Sequence, residues 1–298
     1  MRYLLVLIGS GLLISGCFSL TDKKPSVTPV MDSPLQIAAA PAKPVKKTTS
    51  QTLPKTLGGV LQSDSWIVYQ EKQEEEFKGN VSYQSDVYQF KADYALSQRA
   101  QNLFTAKGNV FLHKKDPDGS WYELHADQAV YNYKTGKGYA ISSSTKPVQL
   151  VYHTRQGDTI RAHANRADFD TQNKIYQLMG SAVIVRTDPQ GEKTTLKARK
   201  ILAKQATQYA LLQGNAQAFN DQYRLQADQI EYDGQTQTAT ASGQRALANG
   251  TTENGTFAII ADEVIAQTDT RRIHLEGNVQ GWLLSDQLNE LEKNKGRK

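Results

Sequence analysis

The chain of 298 residues is 39% hydrophobic and 22% charged, with one cysteine and a formal net charge of +5. A lone cysteine excludes an internal disulfide framework. The positive charge sits at the ends: residues 18–57 hold six lysines against two aspartates, while Arg2 and residues 285–298 each add one net charge. Residues 58–284 are therefore near −1, which excludes a basic nucleic-acid surface on the body.

At the N-terminus Arg2 precedes a short apolar run from Leu4 to Ile14, too short to span a bilayer. Ile14-Ser15-Gly16-Cys17 follows and resembles the cleavage site of bacterial lipoprotein signals. That resemblance implies that residues 1–16 are a signal peptide and that Cys17 becomes the acylated first residue, which accounts for the position and solitude of this cysteine. The alternative is an ordinary secretory signal with an incidental cysteine. Phe18, where an aspartate would favour inner-membrane retention in enterobacterial sorting, favours the outer membrane for an anchored periplasmic protein. Residues 17–57 then read as the acylated cysteine and a disordered tether. They contain six of the nine prolines with Ser, Thr, Ala and Lys, and have too few apolar side chains to build a core.

Residues 58–284 repeat. Each of seven units has a small residue (Ser63, Ala92, Ala126, Ala164, Ala198, Ala227, Ala261), and sixteen residues later comes Gly79, Gly108, Ser142, Gly180, Gly214, Gly243 or Gly277. Asp64, Asp93, Asp127, Asp228 and Asp262 follow the small residue. Asn80, Asn109, Asn215 and Asn278 follow the glycine. The remaining stretch of each unit varies in length, as loops on a fixed scaffold do. It carries turn formers at Asp116-Pro117-Asp118-Gly119, at Asp188-Pro189-Gln190-Gly191, and at Asn249-Gly250 and Asn254-Gly255. A second turn is expected inside the constant half, as at Thr135-Gly136 and Asp233-Gly234. Each unit is therefore two strands and two turns.

Alternation identifies an apolar face. Four and two residues before the small residue stand Tyr88 and Phe90, Tyr122 and Leu124, Ile160 and Ala162, Thr194 and Leu196, Tyr223 and Leu225, Phe257 and Ile259, with mostly polar residues between them. Such strands must bury a shared interior. The tight hairpin signals favour antiparallel pairing over a parallel solenoid, which needs longer crossovers. The expected fold is all-β, about fourteen antiparallel strands from seven repeats, with the charged segment 285–298 as a tail.

The runs Gly79-Asn80-Val81, Gly108-Asn109-Val110 and Gly277-Asn278-Val279, with Ala126-Asp127 to Tyr131 and Ala227-Asp228 to Tyr232 at this spacing, resemble the OstA-like domain. That domain occurs in LptA-type periplasmic proteins and in the periplasmic part of the outer-membrane lipopolysaccharide translocon. The resemblance implies a β-jellyroll whose interior shields lipid A acyl chains of lipopolysaccharide, with jellyrolls joined by edge-strand stacking to other transport proteins. It makes Tyr88, Phe90, Tyr122, Leu124, Ile160, Leu196, Tyr223, Leu225, Phe257 and Ile259 the candidate lipid-binding residues. Three departures from that family stand out: the lipobox, the long linker, and Ser142 in place of glycine. They leave open a bridge subunit or an accessory relative such as an anchored LptC-type component. The alternative function is a structural envelope spacer or adhesive lipoprotein with a closed core.

No enzyme, cofactor or metal is expected. The aspartates recur once per unit instead of clustering as calcium loops do, which points to a backbone-satisfying role at strand bends. The five histidines lack ligand spacing, no phosphate-binding Gly-x-x-x-x-Gly-Lys-Ser/Thr run is present, and Glu71 with Glu74-Glu75-Glu76 reads as a solvated hairpin tip and the strand leaving it.

Overall fold

The computed structural model describes residues 59–143, 145–252, 255–267, 270 and 272–284. The signal segment, Cys17, the tether and the charged tail lie outside the described residues. The body is all-β and antiparallel: β1 Val60–Gln62, β2 Ser65–Tyr69, β3 Glu74–Gln84, β4 Tyr88–Gln98, β5 Leu103–Lys115, β6 Trp121–Asn132, β7 Lys137–Ile141, β8 Val148–His153, β9 Thr159–Ala164, β10 Arg166–Asp170, β11 Ile175–Thr187, β12 Lys193–Lys204, β13 Tyr209–Phe219, β14 Tyr223–Asp233, β15 Thr238–Thr252, β16 Gly255–Gln267, β17 Arg272–Glu276 and β18 Gln280–Leu284.

These eighteen segments form one sheet and act as fourteen long strands, because four pairs of segments are halves of interrupted strands. β1 and β2 both pair with β3, β7 and β8 with β6, β9 and β10 with β11, and β17 and β18 with β16. The unbroken strands carry a register shift at the same level, between Lys91 and Tyr94 in β4 and between Gln226 and Gln229 in β14, for example. At about 4.8 Å per strand the stack is roughly 60 Å long.

This shared level is a spine along which the sheet folds over, and the sixteen-residue step is the step from one strand's bend to the next. Gly108 (φ +72°) and Asn109 (φ +47°) are consecutive left-handed residues, as are Gly79 with Asn80, Gly214 with Asn215 and Gly277 with Asn278. Such pairs produce a bulge, which bends the strand and increases its twist. The aspartate on the neighbouring strand fills the space beside the glycine, so a Cβ on Gly108 would lie 2.3 Å from Asp93 Oδ2. The same carboxylate oxygen accepts a hydrogen bond from Asn109 Nδ2 at 2.9 Å. Asp64 accepts one from Asn80 at 2.9 Å, and Asp262 one from Asn278 at 2.8 Å. The repeated aspartates therefore lock adjacent bends together. At Ser142 the geometry differs: its hydroxyl accepts from the Asp127 N–H at 2.8 Å and the Ser143 N–H donates to Asp127 Oδ2 at 3.0 Å. The strand breaks here into β7 and β8, and this gap absorbs the extra residues of the longest unit.

On one side of the spine lie the constant hairpins, with four-residue turns at 70–73, 133–136, 171–174, 205–208 and 234–237, and the corresponding turn at 99–102. The last residue of each has positive φ: Gln73, Asn102, Gly136, Lys174, Gln208 and Gln237. On the other side lie the variable hairpins. The turns at Asp116–Gly119 and Asp188–Gly191 form as expected, with Gly119 N–H donating to the Asp116 carbonyl at 3.1 Å and Gly191 N–H to the Asp188 carbonyl at 3.0 Å. Asn249-Gly250 is not a turn. Both residues lie within β15, where Asn249 pairs with Arg224 and Ala258, and β15 runs on to Thr252, which pairs with Gly255 of β16. Glycine suits position 250 because a Cβ would lie 2.4 Å from the Tyr223 ring. The Glu74–Glu76 run lies on the strand leaving the hairpin tip at 70–73, as expected, and is less solvated there than its charge suggests. These side chains are half-buried in β3, with Glu74 accepting from Gln98 at 2.9 Å, Glu75 paired with Arg99, and Glu76 3.0 Å from Lys78 Nζ.

Candidate functional site

The two walls of the folded sheet enclose the apolar face. In the variable wall the inward residues are those that the alternation picks out, and nearest the spine Ala92, Val110, Ala126, Val148, Ala164 and Ala182 are buried. The constant wall contributes Phe77, Ala95, Ala106, Ala140, Leu178, Ile201, Leu212 and Ile230, also buried. The bulge shifts the alternation, so Ala92 and Ala95, three apart on β4, both point inward. Residues of both walls form one contiguous cluster from Ala92 to Ala266, and a small cluster of Phe77, Val81 and Ala95 extends it towards the N-terminal end. Phe90 of the variable wall meets Phe104 of the constant wall edge to face, with ring centroids 5.4 Å apart.

The ten candidate residues all belong to the variable wall. Leu124, Leu196, Tyr223 and Leu225 are buried, Phe90 and Phe257 pack against the cluster, and Tyr122, Ile160 and Ile259 are half-buried. Tyr88 stands at the margin of the wall and is 40% exposed. The constant wall supplies an equal share of the lining, including Phe104, Tyr131 and Tyr176, which counting back from the small residue does not reach. Counting back from the glycine does reach Tyr176 and, applied to Gly108, Phe104.

At the free margins, away from the spine, the lining becomes polar. Lys114 Nζ lies 2.7 Å from Asp116 Oδ1 and within 5.8 Å and 5.6 Å of the Tyr88 and Tyr122 ring centres. Arg186 pairs with the buried Asp158 at 2.8 Å, and Asp158 accepts from the Thr154 hydroxyl at 3.3 Å. Lys114 and Arg186 occupy the same repeat position, six residues after Gly108 and Gly180, so extending the alternation two steps further finds both. Burial pushes the Tyr122 phenol well above its ordinary range, and Tyr88, Asp116 and Tyr176 add to the shift. Burial likewise raises Tyr176, with Asp116 and Asp170 contributing. Asp116 of a variable hairpin thus acts on a tyrosine of each wall. The result is an apolar strip with a polar rim, an arrangement that suits an amphiphile: apolar chains between the walls, polar groups at the edge.

The end strands present more apolar surface. At the N-terminal end Val60, Leu61, Trp66, Ile67, Val68 and Tyr69 are exposed, Trp66 to 58%. At the C-terminal end Val279, Trp282, Leu283 and Leu284 are exposed, Leu283 to 68%. Among the described residues, β1–β2 and β17–β18 each pair on one side.

No curated protein matches the chain. A solved structure with some similarity is LptH from Pseudomonas aeruginosa, described as the LptA homologous periplasmic component of the lipopolysaccharide transport device. It shares 17% identity over 41% of this chain and 82% of its own, with a TM-score of 0.33. The family model described as LptA/(LptD N-terminal domain) LPS transport protein matches residues 60–209, from the first residue of β1 to the first of β13. With half the chain matched, and with the repeat that carries the match seen to build a folded antiparallel sheet, this chain belongs to the family of LptA and LptD N-terminal-domain lipopolysaccharide transport proteins.

Proposed function

We propose that the chain is a periplasmic carrier or bridge, not a catalyst, and that the space between its walls shields lipid A acyl chains on the way to the outer membrane. The observation that carries this reading is the apolar lining, which runs from unit to unit without interruption and is contributed by both walls. Burial is worth about 0.8 kcal/mol per methylene, so an acyl chain of roughly twelve carbons left in water costs on the order of 10 kcal/mol. An apolar strip removes that cost with no cofactor, while Lys114 and the margin tyrosines face the polar part of an amphiphile. The exposed end strands extend the reading to partners, since an unpaired edge accepts a further antiparallel strand from another jellyroll. Acylation of Cys17, with outer-membrane attachment through the tether, completes the proposal.

The test is in-cell photo-crosslinking from benzoylphenylalanine at Phe90. The expected result is a lipopolysaccharide adduct. Absence of an adduct, with crosslinking working in a known carrier in the same cells, rejects the carrier reading in favour of an envelope spacer.

A further inference from the structure

The interior is not uniform along the stack. One step from the spine, most of the large lining residues from β3 to β11 are only partly buried, namely Phe90, Phe104, Leu112, Leu150 and Ile184, while Leu124 and Ala162 at the same level are buried. Leu150 and Ile184 are flanked by paired strands on both sides, so their exposure is not that of a sheet edge. They stand two residues along their strands from the buried Val148 and Ala182 and so share the inward face with them, which turns their exposed surface to the space between the walls. From β12 to β15 most of the corresponding positions are closed: Leu196 is 2% exposed, Ala210 2% and Leu225 1%, and Ala218, Tyr232, Ala239 and Ala248 are equally buried, as is Leu212 one step nearer the spine, while Ala203 is partly buried.

The side chains explain the difference. Aromatic residues (Phe77, Phe90, Phe104, Tyr122, Tyr131, Tyr176) predominate between the walls in the first part, where Phe90 and Phe104 span the interior edge to face, against Tyr223 and Tyr232 in the second. Both parts carry alanines nearest the spine, but one step further the second part has alanine on both walls, at 210, 218, 239 and 248, where the first part has mostly large side chains. Small side chains let two sheets approach and fill the gap with no space left over. The accessible stretch also falls inside the family-matched residues 60–209, and most of the closed stretch lies beyond them.

Building on the carrier reading, we infer that the acyl chains occupy only the compartment between β3 and β11, and that β12–β15 form a closed plug that bars them from passing along the whole stack. Seven long strands at about 4.8 Å spacing give the compartment a length on the order of 30 Å. Cargo then enters and leaves through the N-terminal end or between the margins, not through the C-terminal end.

Full-length protein carrying benzoylphenylalanine singly at Leu112, Leu150, Leu212 or Leu225 tests this in lipopolysaccharide-producing cells. Adduct yield at the first two positions is expected to exceed that at the last two by about tenfold or more. Comparable yields at all four overturn the plug while leaving the carrier reading intact. No adduct at any position rejects the carrier reading itself. Because a bulky residue at Leu212 or Leu225 can disturb folding, cysteine at Ala129 in the compartment and at Ala248 in the plug provides a second measurement, in a Cys17→Ser background. Maleimide is expected to label Ala129→Cys in the folded protein, with added lipopolysaccharide protecting it, and to label Ala248→Cys only after denaturation. Labelling of folded Ala248→Cys that lipopolysaccharide suppresses equally overturns the plug.

Discussion

Glycine at the spine meets two separate constraints, and they predict different mutational costs. Gly108 has φ +72°, and the Asp93 carboxylate occupies the space where a Cβ would go. Gly108→Ala should destabilise the fold by about 2 kcal/mol through backbone strain and the clash together. Asp93→Ala removes an exposed hydrogen bond to Asn109 and should cost only ~0.5 kcal/mol. In the double variant the clash is gone and the strain persists, so urea unfolding should give a cost below the sum of the two. A cost equal to the sum would mean that the aspartate does not crowd the glycine. Tyr122 gives a pH prediction. Burial raises its phenol, so the folded state holds the proton more tightly than the unfolded state. That contribution is intact below the ordinary phenol pKa and is lost as pH rises above about 10. Tyr122→Phe, which cannot ionise, should flatten the fall in stability measured by denaturant unfolding between neutral and strongly alkaline pH.

At the scale of the strand, the hairpin explains why the repeat has a constant and a variable half. The constant half joins two bends through a four-residue turn whose last residue is left-handed, and neither bend nor turn can gain a residue without shifting the register. The variable half ends in open hairpins that lengthen freely, as at Asp116–Gly119 and Thr154–Asp158. The exposed end strands are the elements with most to lose in water, and a strand with unpaired N–H and C=O groups and large apolar side chains is a template for association. If β2 of one molecule pairs with β18 of the next, Val68→Lys or Leu283→Lys alone should abolish concentration-dependent oligomers in light scattering. Oligomers that survive both substitutions would place the contact elsewhere.

Across the molecule, the balance between bulky and small inward side chains decides whether the walls touch. That balance makes the two ends respond differently to added volume. Ala248→Leu, in the closed stretch, should cost about 1–3 kcal/mol by overpacking. Ala129→Leu, at a partly buried position facing the proposed compartment, should cost less than about 1 kcal/mol if that compartment takes up the added volume. Thermal or urea unfolding of the two variants makes the comparison, and equal costs would argue against a difference in packing between the two stretches.

Periodicity alone determined the strands, the antiparallel pairing, the inward face and the sixteen-residue step, because each rests on local rules: side chains alternate along a strand, and a bend needs residues that accept positive φ. The same rules misplace a turn at Asn249-Gly250, where glycine answers to the Tyr223 ring on the neighbouring strand and not to its own φ. Only the tertiary structure decided that Asp93 and Asn109 lock neighbouring bends, that Lys114 and Arg186 stand at the margin of the interior, and that most large inward residues are partly exposed in the first part of the stack and buried from β12 to β15. Those properties depend on which residues of one wall face which residues of the other. No spacing along a single strand encodes that match, since the walls meet across a fold of the sheet and their separation is set by the summed volume of side chains from both.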